Sequence, residues 1–325
     1  MHKRTCDATD KESSKTRRVV PDYISQDTSA TVLNLSFKGL ASLHPEIGKL
    51  SSLTKLELSY NQLNTLPSEI GNLSPLTTLN IGGNQLTELP SEIGNLSSLT
   101  QFNVWDNRLT KLPSEIGNLF SLTQFNICRN KLSSLPSEIG NLSSLTKLRL
   151  SMNNRLTCLP PEIGNLSSLT YLDLSKNPLT SLPSEIGNLS NLTELDLCDN
   201  QLTCLPSSLG KLSSLMILAL SQNPLKVIPD ALGKITSLKE VYNKDNHTIY
   251  PPSKLDPKET AQYIRNNPDT ITMEGRTRHA WLGIRLMCIA HRDAGCIDTF
   301  GVLPNELIEM IRQYILCDPY SPTPH

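Results

Sequence analysis

Apolar residues along the chain return on a fixed beat. The pattern Leu53-x-x-Leu56-x-Leu58-x-x-Asn61 recurs as Leu76, Leu79, Ile81 and Asn84. It recurs again as Leu99, Phe102, Val104 and Asn107, as Leu122, Phe125, Ile127 and Asn130, and as Leu145, Leu148, Leu150 and Asn153. Four more units end at Asn177, Asn200, Asn223 and Asn246. An incomplete first unit sets Leu33 and Leu35 in register, with Lys38 at the asparagine position. Ten units follow, starting at 30, 53, 76, 99, 122, 145, 169, 192, 215 and 238. The step is 23 residues, except 24 between 145 and 169, where Asn153-Asn154-Arg155 leaves room for a loop to absorb the extra residue.

Alternation of apolar residues at Leu56 and Leu58 predicts a short strand with one face buried. Each strand returns by the same crossover, so the strands must run parallel. The second half of a unit, as in Leu63 to Leu73, supplies Leu63, Leu66, Ile70 and Leu73 to fill the coil. Pro67 bars an earlier helix start, and Gly71 is read as permitting the turn that follows. The asparagines Asn61, Asn84, Asn107, Asn130, Asn153, Asn177, Asn200, Asn223 and Asn246 are expected to point inward and satisfy the backbone of adjacent turns. One coil cannot bury its own apolar face, whereas stacked coils can. The prediction is an α/β solenoid with a curved, parallel sheet about 43 Å long, from nine steps of ~4.8 Å.

This pattern resembles the leucine-rich repeat. The 23-residue Leu-Pro-x-x-Ile-Gly-x-Leu form is similar to the intracellular Ras-group proteins of that family, which are signalling scaffolds. The resemblance implies a partner such as a small GTPase or a phosphatase. The plant receptor class shares Ile-Gly-Asn-Leu-Ser but carries Gly-x-Ile-Pro in a 24-residue unit. Here the matching segments read Asn64-Thr65-Leu66-Pro67 and Thr87-Glu88-Leu89-Pro90.

Residues between the buried leucines are expected to face outward on the inner sheet. The fourth unit offers Trp105, Asp106 and Arg108, and the fifth Arg129 and Lys131. The sixth offers Lys147, Arg149 and Met152, the seventh Tyr171, Asp173 and Lys176, and the eighth Glu194 and Asp196. The centre of this row is basic, bordered by Trp105 and Tyr171, and its far end is acidic. Trp, Tyr and Arg dominate interface hot spots, so units four to eight are read as a protein-binding patch, with Trp105 free of any core role.

The chain divides into a polar tail (1–27), the repeats (28–249), a closing helix region (250–270) and a helical tail (271–325). Asp256 is placed as a helix cap, with Pro257 first in the helix and Ala261 and Ile264 on its apolar face. Leu303, Pro304, Leu307, Ile308 and Ile311 open a last helix that resembles the start of an F-box. That resemblance implies docking onto a cullin-type ubiquitin ligase, with the repeats as substrate reader. The alternative is a helical hairpin packed on the solenoid end.

Composition removes other classes. Net charge is −1, which argues against bulk nucleic-acid binding. The first eighteen residues are polar, with no secretory h-region, and no run reaches ~18 apolar residues. Eight cysteines form no tight framework, so reduced thiols in a cytoplasmic or nuclear protein are expected. Glycosylation acceptor patterns such as Asn95-Leu96-Ser97 and Asn141-Leu142-Ser143 are then by-products of the repeat. No phosphate loop, dinucleotide fingerprint or hydrolase elbow occurs, so neither enzyme activity nor a cofactor is expected. Cys288, His291 and Cys296, with His279 or Cys317, lack paired zinc spacing, and no metal is assigned.

Overall fold

The computed structural model describes residues 29–225, 228–244 and 257–266. Ten three-residue strands form one curved, open, wholly parallel sheet in sequence order. They are β1 (Val32–Asn34), β2 (Lys55–Glu57), β3 (Thr78–Asn80), β4 (Gln101–Asn103) and β5 (Gln124–Asn126). Then come β6 (Lys147–Arg149), β7 (Tyr171–Asp173), β8 (Glu194–Asp196), β9 (Ile217–Ala219) and β10 (Glu240–Tyr242). Each strand residue pairs with its repeat equivalent, as Leu56 with Leu79 and Phe102 with Phe125. Identical side chains therefore stack, and the Phe102 and Phe125 rings lie 5.2 Å apart, nearly parallel, inside the core.

Five-residue 3-10 helices, such as Ser68–Asn72 and Ser114–Asn118, return the chain on the other side. A preceding proline sits at the cap of most of them, where a missing N–H costs nothing. In the first unit His44 takes that place, and its Nδ1 accepts the N–H of Glu46 at 3.2 Å.

The glycine of each 3-10 helix has a different purpose from the one expected for Gly71. Its φ is not in the left-handed region; a Cβ there would lie 2.5 Å from the carbonyl oxygen of Glu92 in the next coil. Gly94, Gly117, Gly140, Gly164, Gly187 and Gly210 meet the following coil in the same way, at 2.3–2.6 Å. The requirement is close approach between coils, not freedom to turn.

The asparagines form a two-way ladder. Asn107 Nδ2 donates to Ile81 O and Val104 O, and Asn130 Nδ2 donates to Val104 O and Ile127 O. Each such carbonyl thus receives one bond from its own coil and one from the next. The Asn130 Oδ1 accepts the N–H of Leu109, as Asn107 Oδ1 accepts that of Leu86. The 24-residue step is absorbed locally: Asn177 Oδ1 takes the N–H of Asn153 instead, and Leu156 N–H closes back on Asn153 O. Asn246 lies outside the described residues.

A second ladder escaped the sequence reading. Thr54, Thr77, Thr100, Thr123, Thr146, Thr170 and Thr193 each donate a hydroxyl to the carbonyl one coil earlier, at 2.8–3.0 Å. Its sequence signal is the Thr that follows the first Leu of the units from Leu53 to Leu192.

Helix α1 (Pro257–Asn266) packs against β10 and the 3-10 helix Asp230–Lys234. Ala261 and Ile264 are buried there. The last coil carries Asn243 at a core leucine position, and it too is buried. The N-terminal tail, 271–325 and the Cys288–Cys296 set lie outside the described residues.

Candidate functional site: the inner sheet face

Only three residues per coil are strand, so the row read from the sequence splits in two. Lys147, Arg149, Tyr171, Asp173, Glu194 and Asp196 lie on strands. Trp105, Asp106, Arg108, Arg129, Lys131, Met152 and Lys176 follow them in the turn. Asp106, Arg129, Met152 and Lys176 have φ of +52° to +60°, in a left-handed conformation shared by Phe37, Tyr60, Asp199 and Gln222. This conformation is costly for side chains other than Gly and Asn. It is held because the same residue donates its N–H across coils, as Arg129 to Ser151 O and Lys176 to Cys198 O.

Asn or Asp at the last strand position prepares that turn. Asn80, Asn103, Asn126, Asp173 and Asp196 each accept the N–H two residues on. Asp173 and Asp196 therefore serve the backbone first, through an Asx-type bond. Burial pushes the Asp196 carboxyl above its ordinary value, with Asp173 adding to the rise and bonds from Cys198 opposing it. The charged form is disfavoured in the fold, so Asp196 weakens stability at neutral pH and stops doing so below its unfolded value, 3.8. Asp196→Asn, which keeps the acceptor, is expected to raise the urea midpoint at pH 7. The gain should shrink to nothing as pH falls toward 3; a gain independent of pH would contradict this account.

Arg149 lies over the Tyr171 ring, 5.5 Å from its centroid. Burial, then Asp173 and Glu194, push the Tyr171 hydroxyl up. Neither Arg129, Lys147 nor Arg149 forms an ion pair with a described residue. A basic zone on coils five and six thus abuts an acidic one on coils seven and eight.

Trp105 lies outside the buried core but does not stand alone on the face. It is half-buried, and its indole lies over Gly82, where a Cβ would be 2.2 Å from the ring. The indole meets Tyr60 edge-on at 5.8 Å, and Tyr60 stacks on Phe37 at 4.6 Å. The aromatic end of the face is therefore coils one to four. Sequence reasoning missed Phe37, because it sits in the incomplete unit. The signal was there: Phe37 and Tyr60 occupy the same repeat position, and Gly82-Gly83 leaves a gap beside them.

Cys128, Cys158 and Cys198 are free thiols, and burial, with Asp196 second, pushes Cys198 up to about 12. Among the described residues no group of His, Cys, Asp and Glu could hold a metal ion. No helix among them is long and apolar enough to cross a membrane.

The model of the leucine-rich repeat region matches residues 29–154 and 161–248, and that of the single repeat matches 144–166. The chain belongs to the leucine-rich repeat family. No curated protein is similar enough to count as a relative. Among solved structures, this leucine-rich repeat chain is 36% identical to a leucine-rich repeat protein of Leptospira interrogans, with a TM-score of 0.55, covering 68% of this chain and 62% of that one. It is 35% identical to the ectodomain of the Arabidopsis thaliana receptor kinase GASSHO1/SCHENGEN3, solved with Casparian strip integrity factor 2; the TM-score is 0.60, over 67% of this chain and 27% of that one. The Arabidopsis receptor kinase HAESA, solved with the peptide hormone IDA and a co-receptor, is 27% identical with a TM-score of 0.59, over 72% and 42%. The chain thus spans less than two-thirds of each neighbour's length.

Proposed function

We propose that this leucine-rich repeat protein is a non-catalytic scaffold that binds a protein partner on its inner sheet face, in intracellular signalling. One observation carries the reading: Arg129, Lys147 and Arg149 are exposed and unpaired by described residues, beside Asp173, Glu194 and Asp196. Adjacent zones of opposite charge select a partner of complementary pattern and speed its encounter. Two of the solved neighbours hold a protein or peptide partner, which supports the same class of ligand here. The 23-residue unit favours the Ras-group scaffolds, and a small GTPase or phosphatase is the partner that resemblance suggests.

The test compares partner capture by wild type, by Trp105→Ala/Arg149→Glu, and by a chain lacking 271–325, with circular dichroism as a folding control. A partner retained by the truncated chain and lost by the double variant is the expected result. Equal capture by a folded double variant sinks the choice of face. Loss of ligase components on truncation would move the assignment to the F-box-like reading of Leu303, Pro304, Leu307, Ile308 and Ile311.

A further inference from the structure

The first four coils carry a feature that the charge pattern does not explain. Phe37 is 73% exposed and Tyr60 46% exposed. Both are held in the left-handed turn, at φ of +59° and +55°. Their N–H groups are tied to the next coil, Phe37 to Ser59 O at 3.0 Å and Tyr60 to Gly82 O at 2.9 Å. The rings are thus fixed on rigid backbone instead of hanging from loops, and they lose little freedom on contact with a ligand.

Coil three makes the arrangement possible. Gly82 gives its space to the Trp105 indole, and a Cβ on Gly83 would lie 2.9 Å from the Tyr60 ring. Two consecutive glycines let aromatic rings from coils two and four lean toward each other across the coil between. Phe37, Tyr60 and Trp105 become one continuous shelf.

Beside the shelf lies a shallow cavity of about 460 Å³, lined by Asn34, Ser36, Phe37, Lys38, Glu57, Ser59, Tyr60 and Asn80. Its volume is in the range of small-ligand sites. Ser59 lines it at 6% exposure, and the Ser59 hydroxyl has no hydrogen-bond partner. The lining amides are largely engaged within the protein: Asn80 accepts Gly82 N–H and donates to Glu57, and Asn34 Oδ1 accepts Ser36 N–H. The lining holds one lysine and one glutamate, and Glu57 is already engaged by Lys55 at 3.1 Å and by Asn80 at 2.8 Å. A cationic ligand therefore finds no free carboxylate there, and an apolar side chain is the better fit.

The same face then turns basic at coils five and six and acidic at coils seven and eight. From Tyr60 on coil two to Arg149 on coil six is four inter-strand steps, about 19 Å at ~4.8 Å each. An extended chain covers that in about six residues, at ~3.3 Å per residue. Two further coils, about 10 Å, bring Glu194 and Asp196 within reach after about three more residues.

On the reading of the inner face as a partner surface, we propose that the shelf and the Ser59 cavity hold one large apolar side chain of an extended partner segment. That segment carries an acidic residue about six positions from the apolar one, against Arg129, Lys147 and Arg149, and a basic residue about three positions further. It crosses the strands at right angles. The shelf supplies the anchor, and the two charged zones fix direction and register.

The experiment is selection from a random twelve-residue peptide display library on the full-length chain, followed by anisotropy titration of synthesised winners. Winners are expected to share an aromatic or leucine residue with an acidic residue five to seven positions away. Phe37→Ser and Tyr60→Ser should each weaken them at least tenfold, and so should Arg149→Glu. Gly82→Ala should do the same with every aromatic still present, because it displaces the Trp105 indole. Phe37 is largely exposed, so its variant reports on binding without a folding defect. Winners that respond to Arg149→Glu but not to Phe37→Ser overturn the shelf while leaving the inner-face scaffold standing. Winners indifferent to all four variants overturn both readings. Winners with a cationic residue at the anchor, or no enriched peptide, overturn the apolar-anchored segment.

Discussion

Asn130→Leu lowers the unfolding free energy by about 3–4 kcal/mol, a large loss for one residue of the buried asparagine ladder. Leucine matches asparagine in branching but is bulkier, so a modest overpacking cost adds to the polar loss. Four hydrogen bonds disappear: Nδ2 to Val104 O, Ile127 O and Cys128 O, and Leu109 N–H to Oδ1. The consequences are unequal. Val104 O keeps its bond from Asn107, and Ile127 O keeps one from Asn153. Leu109 N–H is left buried with no acceptor, at a cost of about 1–3 kcal/mol, and the weakened carbonyls add up to ~1 kcal/mol each. Asn130→Asp tests the donor side: it keeps the acceptor for Leu109 but turns a buried carboxylate oxygen toward three carbonyl oxygens, so at pH 7 it should cost at least as much as Asn130→Leu. Urea unfolding followed by far-UV dichroism reads the difference. If Asn130→Leu costs under ~1 kcal/mol, the ladder contributes little, and packing alone holds the coils in register.

Gly117→Ala follows at about 2–3 kcal/mol, the upper part of the range for an overpacked core. Its Cβ would be 2.6 Å from the carbonyl oxygen of Glu138 and 2.7 Å from that residue's own Cβ. Backbone cannot rotate away as a side-chain tip can, so the neighbouring coil must be pushed off. That movement also strains the strands on the inner face, because each coil is one rigid ring. Gly39 provides the contrast, since a Cβ there meets nothing within 4 Å but its φ is +66°. Gly39→Asn, a residue tolerant of that φ, should be nearly neutral, whereas Gly117→Asn should be at least as harmful as alanine. Equal effects at both glycines would show that conformational freedom, not coil spacing, is what position 117 requires.

These cases mark where sequence legibility stopped. The repeat length, the parallel order and the inward asparagines were readable because they depend on periodicity. A strand with alternate leucines has one way to bury them, and repetition forces each coil onto the next. The extra residue at Asn153–Arg155 could be placed for the same reason. The reading failed where a residue's role depends on a neighbour 23 positions away. Gly71 was assigned to its own turn, yet it answers to Glu92 in the next coil. Trp105 was read only as lying outside the core, and its rest on Gly82 was not foreseen. The strand positions were extended too far along each unit, because outward residues look alike in sequence whether they lie on a strand or in the left-handed turn after it.

The sequence by itself determined the fold, since a 23-residue hydrophobic period is satisfied only by stacked parallel coils. It also determined the sign of charge along the inner face, because register is built into the repeat. Only the tertiary structure decided which of those residues act together. Stacking places position i beside i+23, so Phe37, Tyr60 and Trp105, scattered over 69 residues of sequence, become one aromatic shelf across the gap at Gly82-Gly83. Side-chain lean, ring contact and the close passage of backbones are set by distances between coils, and a linear sequence does not contain them.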